Sequence, residues 1–246
     1  MKPLNEQLFT EFVYQEVDNF LDARLQTLDK MRLKDILSKN PYLFRAKNLA
    51  GIEDLIESMI EARLSSSEEK KFGDFLERLA IFVASQTANG RKSSARGIDL
   101  EFERDHTRYL IAIKSGPNWG NSSQYQSLET NFKQAVVVQK QAHSGFIIQP
   151  VLGICYGKSP TVDNGIYIRI AGQNFWEFLS GQSNLYETIM TLIGQRTDLF
   201  QRNFLVKRTE LKNRLIQEFI ENFADQDASI DWLKVIRFNS GNGRLS

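Results

Sequence analysis

Gly97-Ile98-Asp99-Leu100-Glu101-Phe102, followed across a turn at Arg104 to Thr107 by Arg108-Tyr109-Leu110-Ile111-Ala112-Ile113-Lys114, is the stretch on which the fold is decided. In the first run Ile98, Leu100 and Phe102 alternate with Asp99, Glu101 and Glu103, the period of two that belongs to a strand with one buried face. The second run is rich in β-branched and aromatic residues and ends at Lys114, so the two are expected to pair as an antiparallel hairpin. Strict alternation then puts Asp99 and Glu101 on one face of the first strand, and Leu110, Ala112 and Lys114 on one face of the second.

Upstream of this hairpin the apolar period becomes helical. Leu8, Phe12, Val13, Val17, Phe20, Leu21, Leu25 and Leu28 recur at three- and four-residue steps, which predicts a long helix capped by Asn5 and ending at about Asp29. Asn40-Pro41 punctuates the chain. Ile52, Leu55, Ile56, Met59 and Ile60 predict a second helix ending near Arg63, and Ser66 with Glu69 three residues later has the spacing of a capping box that opens a third, running to about Ser85. Downstream, Ser115 to Ser123 is turn-rich, and Leu128, Phe132, Ala135, Val136 and Val138 predict a crossover helix. Phe146 to Tyr156 is an apolar run broken by Pro150, expected to be a buried strand with Ile166 to Ile170 beside it. Helical periods return at Asn174 to Leu179, Leu185 to Ile193, Asp198 to Phe223 and Ile230 to Phe238. Helices, a short mixed sheet, then helices again define an α/β class with helical N- and C-terminal additions. One domain is expected, with a helical part over residues 1–64, a core over 65–172 and a second helical part over 173–246.

The 31 basic and 30 acidic residues leave a net charge of +1, so any attraction for nucleic acid has to come from local clusters. The single cysteine, Cys155, excludes an internal disulfide framework and lies in an apolar run, where a packed thiol is expected rather than a nucleophile. With no apolar run near the roughly 18 residues of a membrane span and no secretion signal at Met1 to Glu6, a cytoplasmic protein is expected. His106 and His143 lack zinc spacing, and neither a phosphate loop nor a dinucleotide-binding turn is present, so zinc, ATP-driven and dinucleotide chemistries are unsupported.

Asp99 in one strand and Lys114 at the end of the next suit metal-dependent phosphodiester cleavage. A carboxylate can fix Mg²⁺, a hard ion that prefers oxygen, while an ammonium can stabilise the attacking hydroxide or the crowded phosphate. Taken singly, an aspartate and a lysine on neighbouring strands would be an ordinary solvated pair. The surrounding strings carry the functional reading.

Gly97-Ile98-Asp99-Leu100-Glu101-Phe102 with Tyr109-Leu110-Ile111-Ala112-Ile113-Lys114-Ser115-Gly116 resembles the core of PD-(D/E)xK nucleases. Lys114 to Ser122 and Phe175-Trp176-Glu177-Phe178-Leu179-Ser180-Gly181 narrow the resemblance to bacterial type II restriction endonucleases, from about Asn40 to Gly194. It implies a restriction-endonuclease-like core, Mg²⁺, site-specific hydrolysis of double-stranded DNA to 5′-phosphate ends, and a cognate methyltransferase in the same system. Two positions depart from the pattern: Ile98 stands where proline is common, and Ala112 occupies the acidic position two before the lysine. Three glutamates can replace the missing acid. Glu77, on the helix before the hairpin, ranks first and Glu129, on the helix after Lys114, second. Glu101 ranks third, because on a regular strand it stands about 7 Å along from Asp99.

For DNA contact, Arg91, Lys92 and Arg96 form a basic loop with Ser93 and Ser94 that suits phosphate oxygens, although a mobile loop has the same composition. Ser115, Asn118, Asn121 and Ser122, with Ser123 and Gln124, offer hydroxyls and amides for phosphates or base edges, or simply form a polar turn. Trp119 is expected to pack over that loop, and Phe175, Trp176 and Phe178 to face the core. A palindromic site calls for a two-fold homodimer. Two alternatives stay open: a binding protein that has lost catalysis, prompted by Ala112, and a structure-specific repair or recombination nuclease.

Overall fold

The protein is described here by a computed structural model covering residues 1–142, 145–197 and 201–242. His143 and Asp198 lie outside the described residues.

The hairpin forms as its period dictates. β2 (Leu100–Arg104) and β3 (Thr107–Lys114) pair antiparallel with Glu101 opposite Leu110 and Glu103 opposite Arg108. Only Asp105 and His106 separate the strands, with φ of 52° and 57°. Two central residues in the left-handed region make the tight turn whose twist matches that of the flanking strands. β1 (Arg91–Lys92) adds an antiparallel edge to β2. From β3 the chain crosses through α5 (Ser122–Ala142) to β4 (Ile147–Ile154), parallel to β3. β6 (Ile168–Ala171) lies parallel to β4, and β5 (Val162–Asp163) closes the far edge, giving the order β1-β2-β3-β4-β6-β5. The result is the expected α/β class with a mixed open sheet flanked by helices, consistent with a restriction-endonuclease-like core.

One face of this sheet packs Ile98, Leu110, Ala112 and Leu152 against Leu128 and Phe132 of α5. On the other, Phe102 and Tyr109 meet Phe178 of α6 (Gln173–Ser180), with ring centroids 5.2 to 5.8 Å apart. Gly153, in the middle of β4, is glycine because of that packing: a Cβ there would lie 2.2 Å from the Phe175 ring.

The helical reading needs one substantial correction. The expected second and third helices are a single helix, α4 (Ile52–Ala88), preceded by α1 (Glu6–Lys30) and two short helices, α2 (Leu33–Leu37) and α3 (Pro41–Ala46). Ser66 caps nothing; its hydroxyl donates to the Ala62 carbonyl one turn back, the alternative open to a serine within a helix. Asn5 and Asn40 do cap, accepting from Leu8 N and from Tyr42 N and Leu43 N. The chain ends with α7 (Leu185–Thr197), α8 (Gln201–Phe223) and α9 (Trp232–Ser240).

The chain divides into two compact units, Met1–Asp18 with Phe72–Arg196, and Asn19–Lys71 with Thr197–Ser246. The first contains the sheet. The second is helical, with a core that includes Phe44, Ile56, Met59, Ile60, Leu215 and Phe219. These boundaries fall inside α1, α4 and α7 and differ from the boundaries of the expected parts at 64/65 and 172/173.

Candidate active site

Asp99 is held by main chain on two sides. Its N–H donates to the Ile111 carbonyl at 2.8 Å, and its Oδ2 accepts from Ile113 N at 2.7 Å. Leu100 is the ladder partner of Ile111, so Asp99 and Leu100 together oppose one residue. That is a β-bulge, a device that re-aims a side chain. It overturns the expectation that Asp99 shares a face with Glu101. Ile98 packs with Leu110 and Ala112, on the face that register assigns to Glu101, so the period of two is broken between Ile98 and Leu100. The bulge groups Asp99 with Leu100.

Lys114 follows Ile113 directly and ends β3. The pairing with the next chain segment continues past it: Cys155 N donates to Lys114 O at 2.9 Å and Tyr156 N to Ser115 O at 3.0 Å, fixing the start of the loop. The ammonium lies 5.3 Å from the Trp119 ring centroid, and Trp119 packs at 4.5 Å on Tyr125 of α5. Trp119 therefore holds the loop from beneath the lysine, a role the sequence signalled only as packing.

α4 supplies the third group. Gly73 passes close enough to Ser115 that an added Cβ would stand 3.8 Å from its Oγ, and one turn on the helix presents Glu77. Glu77 is partly buried and lies 3.6 Å from the Lys92 ammonium. Burial pushes its carboxyl above the usual carboxylate range; the Asp99 charge pushes the same way and Lys92 opposes. Two acids thus share one electrostatic neighbourhood. Cys155, buried, senses both, and burial first and these charges second drive its thiol far up, so it stays protonated and inert, as a packed thiol should.

The other two glutamates are placed differently. Glu129 faces the surroundings of Tyr167, whose phenol is pushed up by burial first and then by that carboxylate. Glu101 is 6% exposed and is engaged by Arg91 Nε at 2.8 Å and the buried Arg108 at 3.3 Å. Ala112 is fully buried against the α5 side, in space that a carboxylate would have to leave uncharged or unpaired. Arg108, which also reaches Glu103 at 2.7 Å, went unremarked in the sequence. The two-residue turn, once located, pairs 103 with 108 and would have revealed it.

Among the expected DNA-contact residues, Arg91 and Lys92 are already paired with Glu101 and Glu77. Arg96 and Asn118 are exposed, and Ser115 is half-buried. Asn121 caps α5: its Oδ1 accepts from Ser123 Oγ and Gln124 N, while Gln124 Oε1 accepts from Asn121 N, with exposed Ser122 as the first helical residue. Trp176 and Phe175 are core, the indole donating to Cys155 O at 2.8 Å.

Residues 7–201 match the family described as type II restriction endonuclease EcoO109I. The chain belongs to this family. A search of curated proteins finds no match. As a type II restriction endonuclease the protein is a nuclease, and the family's substrate is double-stranded DNA. The family typically uses a divalent metal. No group of three or more histidine, cysteine, aspartate or glutamate side chains suited to a metal is found among the described residues. Asp99 and Glu77 still fit a hard ion that takes one or two carboxylates and completes its shell with water and substrate phosphate. None of the described helices is long and apolar enough to cross a membrane.

Proposed function

We propose that this restriction endonuclease hydrolyses both strands of a short, specific duplex sequence with Mg²⁺, and that Asp99, Glu77 and Lys114 carry the reaction. The observation that supports this best is the fixing of the Asp99 carboxylate on Ile113 N, one residue from Lys114, with Glu77 in its electrostatic neighbourhood. Mg²⁺ held by the two carboxylates would supply Lewis-acid activation of the scissile phosphate. Asp99 meets it with one oxygen committed to the main chain, so its position costs little reorganisation on binding. Glu77 has to surrender Lys92 and any proton it holds, and Lys92 is then free to meet a phosphate. Lys114 stabilises charge on the phosphate and orients the attacking water, its ammonium set beside the Trp119 ring. Arg91, Arg96, Ser115, Asn118, Asn121 and Ser122 are proposed to position the DNA backbone beside this group, with Glu129 as the alternative metal acid.

The protein is proposed to work in the cytoplasm as a two-fold homodimer on a palindromic site, with a methyltransferase of the same system protecting host DNA.

The test is digestion of unmethylated phage DNA with Mg²⁺. Wild-type protein should give discrete fragments, while Asp99→Asn and Lys114→Ala should lose on the order of 10³-fold in rate, the scale of several kcal/mol of charge stabilisation. Loss in Glu129→Gln with retention in Glu77→Gln would move the second acid to α5. Tight binding without cutting under any divalent ion would leave a DNA-binding protein.

A further inference from the structure

The helical unit contains a basic cavity that none of this uses. We propose that it is a phosphate site for the backbone of duplex DNA, built on residues separate from Asp99, Glu77 and Lys114; the choice of DNA as ligand rests on the nuclease reading. The cavity has a volume of about 400 Å³ and lies among α1, α2 and α4, with Lys30, Arg63 and Lys71 against one carboxylate, Asp35, and with the hydroxyls of Thr27 and Ser67 at its wall. Asp35 is partly engaged already, accepting from Arg32 N at 2.9 Å.

The acids near these cations in sequence are taken by other partners. Glu68 pairs with Arg24, Asp29 with Lys207, and Glu61 with Arg208, and no ion pair to Lys30 or Arg63 occurs among the described residues. Lys71 is anchored rather than free, donating to Ala23 O at 2.7 Å and Thr27 Oγ1 at 2.6 Å, which leaves one of its three N–H groups. Burial pushes its ammonium pKa down, the Glu68 carboxylate opposes, and the nearby Lys30 charge adds a smaller push the same way as burial. Thr27 Oγ1 gives its one proton to Ala23 O, so the donors facing the cavity are the Arg63 guanidinium, the Lys30 and Lys71 ammoniums and the Ser67 hydroxyl, groups that recur on nucleic-acid phosphates. No aromatic ring lines the cavity, so it has no platform for a base or a nucleoside. Contact there would be with backbone alone, independent of sequence.

The experiment is equilibrium binding of a fluorescent duplex, in EDTA so that no cleavage occurs, across a salt series. Each phosphate contact removed lowers the slope of log affinity against log salt by about 1. Lys30→Ala with Arg63→Ala should reduce it by about 2 and weaken binding by up to about fivefold per residue, as for a part-exposed ion pair. Lys34→Ala removes one positive charge from the same unit outside the cavity and should change the slope by less than half as much; circular dichroism checks that each variant is folded. An unchanged slope in the double variant, or a change of half as much or more in Lys34→Ala, overturns the proposal. Inorganic phosphate is the second probe: if it raises the melting temperature of the wild type but not of Arg63→Ala while the DNA slope stays unchanged, the cavity serves a free phosphate and the DNA assignment fails. Because binding is read without metal, failure of Asp99 or Lys114 to support cleavage leaves this test intact.

Discussion

At the scale of single residues, the candidate site depends on carboxylates whose charges are handled in opposite ways. Glu101 is buried and neutralised by Arg108 and Arg91, whereas Glu77 is partly buried near Asp99 and Asp74, with the exposed Lys92 opposing them. Removing one partner of a buried ion pair strands a charge, while removing an exposed partner costs little. Arg108→Ala should therefore lower the unfolding free energy by about 3 kcal/mol. Arg91→Ala should lower it by less than about 1 kcal/mol; denaturant titration of both compares them directly. For Glu77 the sign follows from its raised carboxyl. A group whose folded pKa exceeds the unfolded value contributes stability that is complete below the unfolded pKa and disappears as pH rises through the folded one. Without metal, wild-type protein should lose stability relative to Glu77→Gln as pH climbs from the usual carboxylate range upward. Midpoints measured in EDTA from acid to neutral pH would show the two curves separating; parallel curves would mean that Glu77 is not perturbed.

At the scale of elements, α4 shows how a local signal can be overruled. Ser66-x-x-Glu69 has the spacing of a capping box, but an unbroken apolar stripe on both sides lets the helix run through it, and the serine turns back to Ala62 O. A capping serine replaced by alanine costs about 1 kcal/mol. In a helix interior the same change should be neutral or gain a few tenths of a kcal/mol. Ser66→Ala measured by thermal unfolding distinguishes the two, and the expected result is no loss. The bulge at Asp99 is the corresponding case in the sheet. Hydropathy reads Ile98 to Glu103 as a regular alternation, yet one extra residue opposite Ile111 is enough to take Asp99 away from Glu101.

For the molecule as a whole, the family match over residues 7–201 takes in residues 19–71 of the helical unit as well as the sheet-bearing unit from residue 7 on, and it ends where α8 begins. A near-neutral chain that acts on DNA has to concentrate positive charge locally, and the cavity of Lys30, Arg63 and Lys71 is one such concentration. The proposed two-fold symmetry belongs to this scale too. Sedimentation at twice the chain mass, with one dimer bound per palindromic duplex, is the expected outcome; a monomer that nicks one strand would contradict it.

The sequence by itself determined the α/β class, the hairpin, the capping of α1 by Asn5 and the position of Lys114 at the end of its strand, because each is encoded in periods and spacings within a few residues. It also ranked Glu77 above Glu129 and Glu101, through a resemblance. Only the tertiary structure decided that Glu77 shares the electrostatic neighbourhood of Asp99, that Glu101 is consumed by Arg91 and Arg108, and that Asp99 bulges opposite Ile111 with its carboxylate accepting from Ile113 N. Those outcomes depend on strand register and on a helix laid across the end of a strand, and contacts between residues far apart in the chain leave no period to read.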